Sequence, residues 1–434
     1  VLGGARPPPA ALAGGLAALG AVLGLTRPAS GLLLALLAAL LVPFLVVPQR
    51  IGVQPPVLDV IVSATYLGFA LRVIRHRREA LLGWNSTPPW FVVLVALGAL
   101  LPLAAGAAAL AASGDGEAAH VALKMSLYSL TPLMVVLIWR PDHAPRIVSR
   151  LVVAAAALQA VVAIVLHLAG AGGIEALQAL GTAGYPSTNI ARFLPDEVTR
   201  RATGLLVDPN VLGVTLAAAL PFGLAWPGGS VRRMTLTVGG VALIGVALAL
   251  TISRASWIAT AAGLLVWLCL LRPRVAVMAA AALGGAVLVA PLEPFERIRQ
   301  GFLATDRSAA LRIDEMREAT RVISRFPLLG VGYGDAPHPD IFAGVSNAWL
   351  WLGERAGVGA ALTHLTLVGG TAVTAVRAAA SDAAMRPLLA SLAAFTTAGL
   401  FDHHLVSFPH LVFLVGALIG VSVARAAAGA PEPT

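Results

Sequence analysis

Apolar runs close to the length of a bilayer crossing recur along the whole chain. They fall near 10–26, 31–48, 54–71, 90–112, 120–139, 151–170, 210–226, 234–252, 257–271, 275–291, 347–376, 387–401 and 409–424. About twenty apolar residues are enough for one helix to span the hydrocarbon layer. A transmembrane barrel would instead show alternating segments of ~10 residues, and the chain has none. Composition agrees: 58% of the 434 residues are hydrophobic and 12% are charged. A soluble domain carries roughly 25% charged residues, so the polar surface that solubility needs is missing. The chain reads as an all-α polytopic membrane protein with about 12–13 transmembrane helices, the first and last pairs being the hardest to divide. It reads as one transmembrane domain, 1–434, with two long extracytoplasmic loops, 171–209 and 292–346.

The basic residues give an orientation. Arg72, Arg75, Arg77 and Arg78 follow the third segment, and Arg140, Arg146 and Arg150 the fifth. Arg232 and Arg233 follow the seventh, Arg272 and Arg274 the ninth, and Arg377 and Arg386 flank a later link. These short loops alternate with the long ones, so the excess of arginine marks them as cytoplasmic and the long loops as external. In a bacterium that external side is the periplasm or the cell exterior. The scheme places the N-terminus outside despite Arg6, which a differently divided first pair would repair. The net charge of +9 is therefore read as a topology signal, with no nucleic-acid partner implied. The single cysteine, Cys269, lies in an apolar run and excludes an intramolecular disulfide or a multi-cysteine metal site. No cleavable signal peptide is expected at the first apolar run.

Chemistry-bearing residues gather in the external segments. RRATGLLVDPN brings Arg200 and Arg201 to the end of the first long loop, with Asn210 placed to cap the next helix. Arginines on an outer face run against the positive-inside bias, so an anion site stands beside simple headgroup anchoring as their reading. ISRASW sets Arg254 in a short link, where Ser253 and Ser256 can cap helix ends, or the whole can be a plain hairpin turn. In the second long loop a helix is predicted, capped by Asp306 or Ser308 and stopped by Pro327. Ile313, Met316 and Ile323 would form its apolar stripe, and Arg317, Arg321 and Arg325 a solvated ridge with Glu318 paired to Arg321. Arg312, at the start of that helix, is its best candidate for function.

PLLGVGYGDAPHP follows, with Gly330, Gly332 and Gly334 able to bring backbone close to a phosphate or sugar. It lacks the Lys-Ser/Thr of a nucleotide loop. His338, Asp335 and Asp340 add titratable groups. SNAWLWLGERAGVG then opens a helix with Ser346, Asn347, Trp349 and Trp351, and carries Glu354 and Arg355 one turn inside, where buried charge is costly and usually functional. FDHHLVSFPH offers Asp402 and three histidines. A metal reading is outweighed there by an ordinary polar link, because adjacent His403 and His404 do not share a helix face.

Taken together, RRATGLLVDPN, ISRASW, Arg312 leading into RFPLLGVGYG, and SNAWLWLGERAGVG resemble the O-antigen ligase and polymerase superfamily of bacterial envelope glycosyltransferases. Asn347 and Gly357 keep the spacing of that family's histidine-asparagine-nine-residues-glycine signature. The resemblance spans roughly 195–410. One departure stands out: the signature histidine falls on Ser346. The chain is then a polymerase-like or divergent member, or another residue such as His338 serves, or the activity differs.

The resemblance implies a GT-C-like helical glycosyltransferase of the inner membrane, working on the periplasmic face without a cofactor. The donor would be a glycan on undecaprenyl diphosphate, and the acceptor a glycan or glycolipid such as lipid A-core, with membrane lipids around both. Arg200, Arg201, Arg254 and Arg312 would bind the diphosphate, with Arg201 and Arg312 converging on it, because guanidiniums stabilise a departing phosphate by bidentate charge-assisted bonds. That would remove the need for a divalent metal. Ser346, Asn347 and Trp349 would contact glycan, and His338 or Glu354 would take the acceptor proton. Polymerisation of lipid-linked repeat units is the alternative, and a saccharide transporter or flippase the second. A transporter would show internal repeats and charges near the bilayer midplane. A relative without catalysis, serving as a binding partner in envelope assembly, remains a further reading.

Overall fold

A computed structural model describes residues 8–47, 54–76, 87–139, 142–186, 192–194, 199–225, 231–303, 307–334, 340–341 and 343–428. In chain order the helices begin with α1 (Pro8–Thr26), α2 (Pro28–Leu41), α3 (Val57–Arg75), α4 (Pro89–Ser113), α5 (Gly116–Ser129) and α6 (Thr131–Ile138). They continue with α7 (Ala144–Leu168), α8 (Ala171–Ala179), α9 (Pro209–Leu224), α10 (Val231–Leu250), α11 (Arg254–Leu271) and α12 (Pro273–Val289). The last are α13 (Glu293–Phe302), α14 (Arg307–Arg325), α15 (Ala348–Ala379), α16 (Met385–Gly399), α17 (His404–Ser407) and α18 (Pro409–Ala428). Among the described residues the only sheet is a two-stranded antiparallel ribbon, β1 (Arg192–Phe193) and β2 (Arg200–Arg201).

The protein is an all-helical, polytopic membrane protein. Among the described residues seven helices are long and apolar enough to span a bilayer, or eight if the bent pair α12–α13 is one span. Four shorter apolar helices accompany them: Ala11–Thr26, Pro28–Leu41, Pro209–Leu224 and Met234–Leu250. The expected count of 12–13 spans treated these as full crossings. Breaks at Arg27, Asp208 and Leu250 leave them below a bilayer-spanning length. The run 387–401 likewise becomes the 15-residue α16, with Ser391, Thr396 and Thr397 inside it.

The chain forms two compact units, one made of Val1–Ser86 and Met134–Ser253, the other of Thr87–Leu133 and Arg254–Thr434. In the first, α1 and α3 meet through small residues. A Cβ on Gly68 would stand 2.2 Å from the Gly24 carbonyl oxygen. Such backbone approach is how helices associate where lipid removes the hydrophobic driving force. Gln159, fully buried in α7, donates to the carbonyls of Leu40 (2.8 Å) and Leu41 (3.1 Å) at the end of α2. Its Oε1 accepts from Leu205 N–H (3.3 Å), so one polar side chain pins the turn that precedes α9.

In the second unit α11 and α16 pack closely, with Gly263 against the Ala390 carbonyl. The helix α15 is broken at Gly357, whose φ of 83° and ψ of 170° lie outside helical space. A break frees helical N–H and C=O groups, and buried ones must find partners. The loop after α14 supplies them. Val331 N–H bonds the Glu354 carbonyl (2.7 Å), Gly332 N–H the Arg355 carbonyl (3.1 Å), and Val358 N–H the Pro327 carbonyl (2.9 Å). A Cβ on Gly357 would sit 2.1 Å from the Leu328 oxygen, and one on Gly330 2.2 Å from the Glu354 oxygen. These glycines therefore let two stretches of backbone interlock. The expectation that they cradle a phosphate gives way to that reading, because helix carbonyls already occupy the space.

Candidate functional site

In the first unit the ribbon β1–β2 pairs Arg192 with Arg201 and Phe193 with Arg200. Successive strand residues point to opposite faces, so Arg200 and Arg201 diverge. Arg200 Nη1 donates to the carbonyls of Gly170 (2.6 Å) and Leu166 (3.3 Å) at the end of α7. Arg201 turns the other way: Nε donates to the Thr251 carbonyl (2.8 Å) and Nη2 to Asn210 Oδ1 (2.9 Å), which also accepts from Ser253 Oγ (2.9 Å). Asn210 does not cap α9 as expected. Asp208 does, accepting from the N–H groups of Asn210 (2.8 Å) and Val211 (3.2 Å), because Pro209 takes the first helical position. The Ser253 hydroxyl likewise goes to Asn210. Two β-branched residues beside this network, Val207 (φ 52°) and Ile252 (φ 48°), are left-handed. That conformation is costly for them and persists only where the surroundings over-determine it.

In the second unit Arg254 Nη1 donates to the Arg297 carbonyl (3.2 Å) and lies over Gly301, fixing α13 to the start of α11. The strongly amphipathic α13 is an addition to the expected loop; only α14 was foreseen there. On α14 the buried face runs through Ala309, Ala319 and Val322, while Ile313 of the expected stripe is 39% exposed. Small side chains face inward because α15 lies close, as Ile323 against Gly353 shows. The outer ridge is paired as expected for a solvated face. Arg321 grips Glu318 with both arms (2.6 and 2.8 Å), Arg317 reaches Asp314 (3.0 Å), and Arg325 reaches Asp340 (3.1 Å).

Arg312 and Glu315 lie on the inner face, on the same side as Ala319 and Val322. Glu315 Oε2 accepts the backbone N–H of Ser346 (3.0 Å). Among the described residues Arg312 makes no hydrogen bond or ion pair within the protein, though its charge reaches Asp402. Asn347 caps α15, accepting from Trp349 N–H (3.1 Å) and Leu350 N–H (3.0 Å), and its Nδ2 donates to the Leu400 carbonyl (3.1 Å). Trp349 packs on Gly399 of α16, so its ring is partly spent on helix contact. Glu354 is 1% exposed, and its Oε2 faces the Val345 N–H (3.4 Å) while Oε1 is buried without a partner. Arg355 is held by three carbonyls: Gly334 (2.8 Å), Gly332 (3.2 Å) and Ala343 (3.1 Å). His338, Asp335 and the expected cap Asp306 lie outside the described residues.

The tie from Asn347 to Leu400 sets the segment Asp402–Phe408 beside the start of α15. His403 stacks on Trp351 (5.8 Å between rings, 10° between planes), and its Nδ1 lies 2.7 Å from Ser407 Oγ. His404 Nδ1 lies 3.0 Å from Asp402 Oδ1. Burial opposes ionisation of Asp402, but His404, His403 and Arg312 override it and hold its carboxyl down at about 2. Burial, then the neighbouring His404, pushes His403 below the usual histidine range, with Asp402 and Glu315 opposing. Ligand-type atoms of Asp402, His403 and His404 fall within 4.8 Å of one another. A cation there would face the charges of Arg312 and Arg355, and His403 Nδ1 is already engaged by Ser407.

Thus the second unit brings Arg312, Ser346, Asn347 and Glu354 of the expected set together, and adds Glu315, Asp402, His403 and His404. Glu315 hides in a charged helix with no signal of its own, whereas Asp402, His403 and His404 are visible in FDHHLVSFPH but carry nothing there that ties them to the second long loop. Below this cluster a cavity of about 70 Å³ between α4, α5, α15 and α18 is lined mainly by apolar side chains such as Met125, Leu352 and Val415. It holds only a few atoms.

The class these features define is a multi-pass membrane protein with a half-buried cationic and histidine cluster at the head of a broken helix. Residues 239–365 match the family model for O-antigen ligase, so over that stretch the chain is similar to a family of membrane glycosyltransferases that act on lipid-linked glycans. No curated protein matches the chain. The matched stretch contains Arg254, Arg312, Ser346 and the Gly357 break, and excludes the ribbon at Arg201 and the segment at His403.

Proposed function

We propose that the protein moves a glycan from an undecaprenyl-diphosphate carrier to the hydroxyl of an envelope acceptor, lipid A-core or a similar glycolipid. The reaction takes place on the periplasmic face of the inner membrane and needs no divalent metal. The observation that carries this reading is Arg312, a half-buried guanidinium without a bond to the described protein, beside the motif that the family match covers. In the transfer the anomeric C–O bond to diphosphate breaks and negative charge develops on the departing oxygen. A guanidinium there lowers the barrier in proportion to that developing charge. Arg254 holds α13 to the start of α11, and Asn347 and Trp349 border the glycan path. Glu354, too buried to touch an acceptor, positions the Gly344–Ser346 turn through its backbone bonds.

Sealed vesicles holding the full chain, with a lipid extract of the source cells on the periplasmic leaflet, should release polyprenyl diphosphate and form glycosylated acceptor. Arg312→Ala should lower turnover by ~10²–10³-fold, the usual loss for one electrostatic donor. Arg312→Lys should recover little, since an ammonium cannot fork onto a diphosphate. Normal turnover in Arg312→Ala would remove the assignment, and transfer from the cytoplasmic leaflet alone would reverse the orientation. Longer glycan chains on the carrier itself, with no glycosylated acceptor, would select polymerisation.

A further inference from the structure

The family signature places a histidine where this chain has Ser346, yet His403 stacks on Trp351 at the head of the helix that Ser346 precedes. We propose that His403 is the general base of the transfer, taking from a different segment the role that position 346 cannot fill. The inference rests on the glycosyl-transfer reading above. Ser346 N–H is held by Glu315 (3.0 Å), and the Glu315 carboxylate is an electrostatic neighbour of His403. Asn347, next to Ser346, is bonded to Leu400, which brings Asp402–His404 to the head of α15.

The ring is built for the role. Stacking on Trp351 fixes its plane, and the Ser407 hydroxyl engages Nδ1, so Nε2 is the nitrogen left for substrate. A base must be unprotonated before it acts, and burial with His404 alongside keeps His403 neutral. The groups that face it are Asp402 and His404 on its own segment, Arg355 from α15 and Glu315 from α14, with Arg312 acting on Asp402. Once His403 is protonated, the carboxylates of Glu315 and Asp402 stabilise the imidazolium. In the step, the acceptor oxygen forms a bond to the anomeric carbon while the C–O bond to diphosphate breaks. The bonding pair leaves on the diphosphate, and the acceptor proton passes to His403 Nε2 and then to water.

The experiment uses the same vesicles and lipid extract. His403→Gln keeps a flat polar side chain but cannot titrate, and it should lower turnover by ~10²–10⁴-fold, the span of one general base. The double variant His403→Gln with Ser346→His should regain at least tenfold, because it restores the base at the signature position. The wild-type rate should fall as pH drops through a value below the usual histidine pKa, and His403→Gln should lose that limb. Full turnover in His403→Gln overturns the proposal. So does a dead single variant that Ser346→His fails to rescue, provided its melting temperature matches the wild type. Loss of wild-type activity on chelation, restored by zinc, would make the cluster a metal site and also overturn it. If the wild-type protein transfers no glycan at all, the functional reading fails first, which separates the two.

Discussion

The ribbon at Arg192–Arg201 and the crossing of α14 over α15 are both rich in arginine, but they use it differently. In the ribbon Arg200 and Arg201 are bonded to carbonyls and to Asn210, and strained residues at Val207 and Ile252 flank the network. At the crossing the outer arginines are tied to carboxylates, Arg355 is tied to three carbonyls, and Arg312 alone has no bond to the described protein. Arginine abundance is therefore a poor guide to function. What distinguishes a candidate is whether its donors are already spent. Ribbon arginines hold a shape and offer only their remaining donors, whereas Arg312 offers its whole fork.

The strongest way to break this comparison is to remove the break in α15. Gly357→Ala puts a Cβ where the Leu328 oxygen lies at 2.1 Å and asks a non-glycine residue to hold φ 83°. Left-handed strain costs ~1–2 kcal/mol, and the clash adds more. The variant should lose several kcal/mol, or fold only with a rearranged loop 327–332, and transfer should vanish. A melting curve in detergent superimposable on the wild type would show that the interlock is dispensable.

Arg201→Ala sharpens the contrast with Arg312→Ala. It takes a donor from Thr251 O and one from Asn210 Oδ1, which keeps the Ser253 hydroxyl, so about 1–3 kcal/mol of stability should be lost. Arg312→Ala should leave stability within ~0.5 kcal/mol of the wild type while turnover collapses. Equal stability losses in the two variants would erase the distinction between spent and unspent arginines. The smallest effect belongs to Arg317→Ala on the outer ridge, where an exposed pair contributes ~0–1 kcal/mol and transfer should continue at the wild-type rate. A turnover loss of tenfold or more there would mean that the ridge carries function after all.

Much of this was legible in the residues. Apolar periods near the bilayer thickness dictate helices, so the all-α membrane architecture follows from sequence alone, and so does the Glu318–Arg321 pair, which helical spacing fixes. Asn347 lies beside an apolar run, which is where a cap belongs. The number of full crossings was not legible, since a run interrupted at Arg27 or Asp208 has the same composition as an unbroken one. The glycines of RFPLLGVGYG announce close approach, but sequence does not say to what. Only tertiary packing made the approached object the backbone of α15, because a helix broken at Gly357 needs those N–H groups. The same holds for the candidate base. Position 346 declares that a histidine is missing, a local fact of sequence. That His403 is brought to the head of α15 depends on the Asn347 to Leu400 bond and the Trp351 stack, contacts between residues some fifty apart that no local pattern encodes.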